Sequence, residues 1–278
     1  MMQFYIDDII KTALLEDVNY IDTTADYLLE DERSTGRFLA KADGVLCGLD
    51  VAERVFTLLD PAITFQKFKK DGHRLEKGEV FATVTGLTSV LLKGERTALN
   101  LLQHMSGIAT ATAQAVELVK GTRAMITDTR KTLPGLRPLQ KYAVVCGGGR
   151  NHRFNLSDGA MLKDNHIDAA GGITPAVEKL RGRLGHMVKL EVETRTLEEV
   201  AEALSCGVEV IMLDNMDCDT MRRAVEMTAG RALLEASGGI TAETLRQVAE
   251  TGVDIISIGA LTHSVKAFDI SMKITPEK

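Results

Sequence analysis

The sequence predicts an α/β protein in which a compact α+β unit precedes a barrel of the (β/α) type. Three observations carry that reading. After Gly121, short apolar runs alternate with helical stretches, which is the mark of a parallel α/β fold. Before Gly121, helix, strands and tight turns follow one another closely, as in a compact α+β unit. No GxGxxG follows the first strand of the alternating part, and the repeat is short, so a barrel fits better than a dinucleotide-binding sheet.

The elements follow in order. Ile6, Ile9, Ile10, Ala13 and Leu14 share one helical face, so an amphipathic helix opens the chain. Asp22-Thr23-Thr24 supplies turn and cap chemistry. Strands are expected over 37–41, 45–47, 63–68 and 80–84, with a helix over 51–59 ended by Asp60-Pro61. From Ser89 to Met105 the pattern is helical; Gly107 is expected to interrupt it before a further helix to Lys120. Beyond Gly121, strands are expected over 124–127, 160–162, 188–192, 208–213, 232–236 and 255–258. The helices between them are expected over 139–145, 174–184, 197–204, 220–228 and 242–250.

Composition narrows the function. A chain of 278 residues with 45% apolar and 26% charged residues can bury a large core. The net charge of −6, the 4% aromatic content and the lack of tryptophan argue against a nucleic-acid surface or a base-stacking platform. Cys47, Cys146, Cys206 and Cys218 show no CxxC pairing, which speaks against a zinc site or disulfide framework and suits a reducing cytoplasm. Met1-Met2-Gln3-Phe4 runs on into Asp7-Asp8, unlike a signal peptide, and no apolar run is long enough to span a membrane.

The stretch from Asp128 to Ile167 gathers Arg130, Lys131, His152, Arg153, Lys163 and His166. Two apolar runs, Ala124-Met125-Ile126 and Ala160-Met161-Leu162, each lead into a cationic cluster. Any one of these cations alone is most simply a solvated surface charge. Their recurrence at the same end of successive strands points instead to a small anionic ligand in a focused pocket. The other strand ends add Glu193, Asp214-Asn215, Ser237-Gly238-Gly239 and Gly259-Ala260. In barrels the carboxyl ends of the strands build the active site, and the last two strands hold phosphate on backbone N–H groups. Ser-Gly-Gly alone is equally well a tight turn. Glu193 and Asp214, on neighbouring strand ends, suit a divalent cation, vicinal hydroxyls or a developing carbocation; the plainer alternative is a structural ion pair.

The motifs DTRKTLPGLRPLQKYAV, CGGGRNHRFNLSDGAMLKDNH, IMLDNM, LEASGGIT and ISIGALTHS closely resemble quinolinate phosphoribosyltransferase, the carboxylating nicotinate-nucleotide pyrophosphorylase, over nearly the whole chain. Asn19-Tyr20-Ile21-Asp22 departs from the glycine-containing turn often found there. The resemblance implies an amino-terminal α+β sandwich (hammerhead-like) followed by an open (β/α) TIM-like barrel. The sandwich would span 1–105, completed by 265–278, and the barrel 106–264. It implies a pentosyltransferase of NAD biosynthesis: quinolinate and phosphoribosyl pyrophosphate give nicotinate mononucleotide, pyrophosphate and CO2, with Mg2+. Carried over, Arg130, His152, Arg153 and Lys163 would bind the pyridine dicarboxylate, Thr129 would be a further substrate-binding residue, and Lys131 would lie between the two substrates. Glu193 and Asp214 would hold the ribose hydroxyls and Mg2+. Ser237, Gly238, Gly239, Gly259 and Ala260 would cradle the 5′-phosphate, and Ile258 would be a further substrate-binding residue. Arg96 would enter a site shared across a homodimer.

The implied chemistry agrees with the residue types. Two carboxylates on one ring suit guanidinium groups. Loss of pyrophosphate leaves oxocarbenium character, which nearby carboxylates stabilise. Bonding the ring nitrogen to ribose makes it cationic and stabilises the carbanion left by decarboxylation. Two rivals stand beside this reading: a molybdenum-transport paralogue of the same fold, and a non-catalytic phosphoribosyl-ligand sensor. The intact Arg150-Asn151-His152-Arg153 and Lys163-Asp164-Asn165-His166 favour the enzyme.

Overall fold

Ile6, Ile10 and Leu14, one turn apart, are buried along the first helix, α1 (Gln3–Asp17). The computed structural model describes residues 3–277; the expectation resting on Met1 and Met2 lies outside the described residues. After α1 come α2 (Ala25–Leu28), β1 (Arg33–Ala40), β2 (Gly44–Val45), α3 (Leu49–Leu59), β3 (Thr64–Lys67), β4 (Arg74–Leu75) and β5 (Val80–Leu87). They are followed by the long α4 (Thr88–Leu118), β6 (Met125–Thr127) and α5 (Arg137–Cys146). Then come β7 (Ala160–Leu162), α6 (Asp164–Ala170), α7 (Ile173–Arg181), β8 (Leu190–Thr194), α8 (Leu197–Ser205), β9 (Val210–Asp214) and α9 (Cys218–Thr228). The chain closes with β10 (Leu233–Ser237), α10 (Ala242–Ala249), β11 (Ile255–Ser257), α11 (Ala260–His263) and β12 (Ile270–Pro276). Two compact units result: Met1–Ala113, Thr132–Gly148 and Ala260–Lys278 form the first; Gln114–Lys131 and Gly149–Gly259 form the second.

In the first unit, an antiparallel sheet runs in the order β12-β1-β5-β3. Alternation along β1 turns Ser34, Gly36, Phe38 and Ala40 inward. Phe38 centres an aromatic group, with ring centroids 6.2 Å from Phe56 of α3, 5.7 Å from Phe65 and 6.1 Å from Phe81. The expected break at Gly107 does not occur: α4 runs straight through it. A Cβ there would meet the Lys266 carbonyl oxygen at 2.3 Å, so the glycine serves a close backbone crossing. That packing outweighs the cost of about 1 kcal/mol for glycine in a helix.

In the second unit, six parallel strands run in the order β6-β11-β10-β9-β8-β7. β6 and β7 lie at its two edges and do not pair, so the (β/α) barrel is open. The strand ends fall one or two residues later than the apolar runs suggested, so Glu193, Asp214 and Ser237 lie within strands. α6, directly after β7, was not among the expected helices. A further segment lies against β6: Arg150 forms a parallel bridge with Thr127, its N–H donating to the Ile126 carbonyl at 2.9 Å.

Candidate active site

The carboxyl ends of the six strands surround a cavity of about 340 Å³. Its lining includes Thr129, Arg130, Lys131, His152, Arg153 and Lys163, together with Glu193, Asp214, Glu235 and Ser237. Strand register explains the grouping. Glu193 and Glu235 each pair with Met212, and Ser237 pairs with Asp214, one side-chain step further along β9. Residues in register on parallel strands share a face, as do residues two apart.

His152 and Arg153 reach the cavity because their segment is pinned beside β6. Asp128, fully buried, accepts the His152 N–H at 2.9 Å and the Asn151 side-chain amide at 2.6 Å. The Arg153 N–H donates to His152 Nδ1 at 2.7 Å. That bond assigns the ring proton to Nε2, which faces Glu191 Oε2 at 3.1 Å and Glu235 Oε2 at 3.5 Å. The Arg153 guanidinium donates to the Gly159 carbonyl at 3.0 Å and to Met161 Sδ at 3.4 Å. Burial, then the nearby Arg130 guanidinium, lowers the Arg153 pKa, while Glu191 opposes the shift. Two neighbouring guanidinium groups in a part-buried wall favour an anion between them.

Lys163 Nζ donates to Glu193 Oε2 at 3.2 Å. The Lys163 N–H donates to His166 Nδ1 at 3.0 Å, so His166 caps the start of α6. At the next strand end, Asn215 takes φ 53° and donates its amide to Asp214 Oδ2 at 2.9 Å. Gly238 and Gly239 have φ of +95° and +60°; a Cβ on Gly238 would lie 2.2 Å from Asn215 Oδ1. Only glycine fits there. The turn leads into α10, whose first turn is capped by Thr241 and Thr244.

The cavity thus gathers Thr129, Arg130, Lys131, His152, Arg153, Lys163, Glu193, Asp214 and Ser237 of the expected site residues. Gly238 and Gly239 follow Ser237 directly, and Ile258 and Gly259 follow β11 in the same unit. Ala260 begins α11 in the first unit, where Arg96 is exposed on α4. Sequence reasoning missed Glu235 and the link from His152 to Glu191. Each glutamate is an acidic residue flanked by apolar ones within its strand, Leu-Glu-Val and Leu-Leu-Glu-Ala, and that was the available signal.

Comparison with known proteins agrees over the full length. The family models described as quinolinate phosphoribosyl transferase, N-terminal domain and C-terminal domain, match residues 22–106 and 108–273. The probable carboxylating nicotinate-nucleotide pyrophosphorylase of Bacillus subtilis is 46% identical over 275 residues, 99% of this chain and 95% of that one. The decarboxylating quinolinate phosphoribosyltransferase 2b of Nicotiana tabacum is 42% identical over 292 residues, 98% of this chain and 83% of that one. The crystal structure of NadC from Streptococcus pyogenes superposes with a TM-score of 0.96 at 44% identity, covering 100% of this chain and 99% of that one. With both domains matched in order and relatives above 40% identity end to end, the chain belongs to the quinolinate phosphoribosyltransferase family.

Proposed function

We propose that this chain transfers the phosphoribosyl group of phosphoribosyl pyrophosphate to quinolinate with decarboxylation, giving nicotinate mononucleotide, pyrophosphate and CO2. The observation that carries this is one cavity whose lining brings Arg130, Lys131, Arg153 and Lys163 together with Glu193 and Asp214. Arg130, Arg153 and Lys163 pair with the two carboxylates of the pyridine ring. His152 has both ring nitrogens engaged within the protein, so it contributes the ring face beside Arg153 and holds that wall in place. Thr129 accepts the Lys131 N–H at 3.0 Å, and Lys131 stands between the acceptor ring and the departing pyrophosphate.

Glu193 and Asp214 flank the ribose. Their negative charge favours the oxocarbenium-like carbon formed as pyrophosphate leaves. The ring nitrogen takes that carbon, becomes cationic, and stabilises the electron pair released when the adjacent carboxylate departs as CO2; that ring carbon then takes a proton from solvent. Hard carboxylate oxygens on neighbouring strands also suit Mg2+; Glu193 and Asp214 would hold it, and it would neutralise pyrophosphate charge. Ser237, Gly238, Gly239, Ile258, Gly259 and Ala260 cradle the 5′-phosphate, with the glycine backbone approaching closely. The working assembly is a cytoplasmic homodimer in which α4 supplies Arg96 to the partner's site.

The test is direct. Purified protein is incubated with quinolinate, phosphoribosyl pyrophosphate and Mg2+, and nicotinate mononucleotide is measured. Formation of product dependent on all three supports the reading; ligand binding without turnover would leave only a phosphoribosyl-ligand sensor.

A further inference from the structure

In the first unit, Cys47 immediately precedes the α3 cap at Gly48, and Cys146 is the last residue of α5. Their sulfurs and a carboxylate oxygen of Asp71 all lie within 4.8 Å of one another. Cys47 is fully buried and Cys146 half-buried.

The surroundings hold both residues in place. The Cys47 N–H donates to Ser106 Oγ at 3.0 Å, and that hydroxyl donates to the Cys47 carbonyl at 3.1 Å. Asp71 accepts the Gly48 and Leu49 N–H groups at 3.0 and 3.1 Å, and the Tyr142 hydroxyl at 3.0 Å. With three donors already on its two oxygens, Asp71 acts as the cap of α3 and is a poor third ligand for a metal. What remains is a pair of facing thiols. The neighbouring Cys47 thiol holds the Cys146 pKa below the ordinary thiol value; burial, then Cys146, raises that of Cys47. A half-buried cysteine of lowered pKa, its sulfur within 4.8 Å of that of a fully buried one, is the arrangement of an attacking and a resolving cysteine.

We propose that Cys47 and Cys146 form a reversible dithiol–disulfide pair, oxidised by a hydroperoxide. The Cys146 thiolate attacks one peroxide oxygen and the O–O bond breaks. Cys146 becomes a sulfenic acid, and the released hydroxide takes a proton to become water. The Cys47 sulfur then attacks Cys146 Sγ: the S–S bond forms, the S–O bond breaks, and hydroxide leaves as water with the Cys47 proton. Two thiols lose two electrons and two hydrogens, and one hydrogen peroxide becomes two waters. The bond fastens the end of α5 to the start of α3. α5 is the segment between Arg130-Lys131 and His152-Arg153 in the chain, so the tether acts on the helix joining both cationic loops.

The experiment uses the full-length protein with hydrogen peroxide as the only oxidant. Remaining thiols are blocked with N-ethylmaleimide, and a non-reducing digest is read by mass spectrometry. The expected result is a peptide pair joined through Cys47 and Cys146, lighter by two hydrogens, that separates with dithiothreitol; Cys206 and Cys218 carry maleimide. In Cys47→Ala, Cys146 is expected to accumulate as a dimedone-reactive sulfenic acid. Maleimide on both Cys47 and Cys146 after peroxide would overturn the proposal. So would Cys146 passing to the sulfinic acid while Cys47 stays a thiol, or zinc held by both thiols in the protein as purified. Because the primary measurement needs no substitution, a variant that fails to fold does not affect its outcome.

Discussion

His152 Nε2 lies 3.1 Å from Glu191 Oε2, and that carboxylate is 7% exposed and sits two residues before Glu193 on the same strand face. The glutamate beneath the site therefore fixes the ring that accepts the Arg153 N–H. Glu191→Ala leaves a buried imidazole N–H without that acceptor, at about 1–3 kcal/mol. The KM for quinolinate is expected to rise by roughly tenfold or more, with kcat falling less. Glu191→Gln keeps an acceptor oxygen and should recover most of the loss. Equal defects in both variants would show that charge, not the hydrogen bond, is what His152 needs.

The second glutamate has a pH signature. Burial, then the charge of Glu191, raises the Glu235 carboxyl from 4.5 to about 7, with His152 opposing. The native state thus holds this proton more tightly than the unfolded chain does. Its contribution to stability is complete below the ordinary carboxylate value and is lost as pH climbs toward the folded one. Thermal unfolding from pH 4.5 to 7 should fall more steeply for the wild type than for Glu235→Gln. Parallel curves would contradict the shift.

Gly238→Ala addresses the turn proposed to hold the 5′-phosphate. The added Cβ would lie 2.2 Å from Asn215 Oδ1, at a φ of +95° that disfavours alanine. Strain of this kind costs on the order of 1–3 kcal/mol. Because Asn215 hydrogen-bonds Asp214, the clash also reaches a carboxylate of the site. The KM for phosphoribosyl pyrophosphate should rise far more than that for quinolinate; a matched rise in both would point to general unfolding.

Nicotinate has one carboxylate where quinolinate has two. It should leave part of the Arg130, Arg153 and Lys163 wall unanswered, at about 2–5 kcal/mol, or roughly 30-fold to several thousandfold in kcat/KM. Comparable turnover of the two acids would remove the assignment of those arginines.

The shared site is tested by mixing. Arg96→Ala and Lys131→Ala are each expected to be nearly inactive. Dissociated and reassociated together, they should regain part of the activity, because a mixed dimer holds one site with both residues intact. If subunit exchange is verified and no activity returns, Arg96 acts within its own chain or only in a surface ion pair worth about 0–1 kcal/mol.

The sequence by itself determined the class of fold and made most of the candidate site legible. Parallel strands alternating with helices write their period into the chain, and strand-end residues such as Lys163, Glu193, Asp214 and Ser237 follow apolar runs that are visible locally. The positively charged segment from Asp128 to Ile167 was legible for the same reason. Three things were decided only by tertiary structure. Gly107 reads locally as a helix breaker, yet α4 continues because the Lys266 carbonyl needs the space. Glu235 reads as one acidic residue in an apolar strand, and only parallel register brings it beside His152 and Glu191. Cys47 and Cys146 read as scattered thiols, and only the packing of the α3 start against the α5 end brings their sulfurs together. In each case the deciding partner is far along the chain, and local periodicity carries no information about which distant residue will fill a given space.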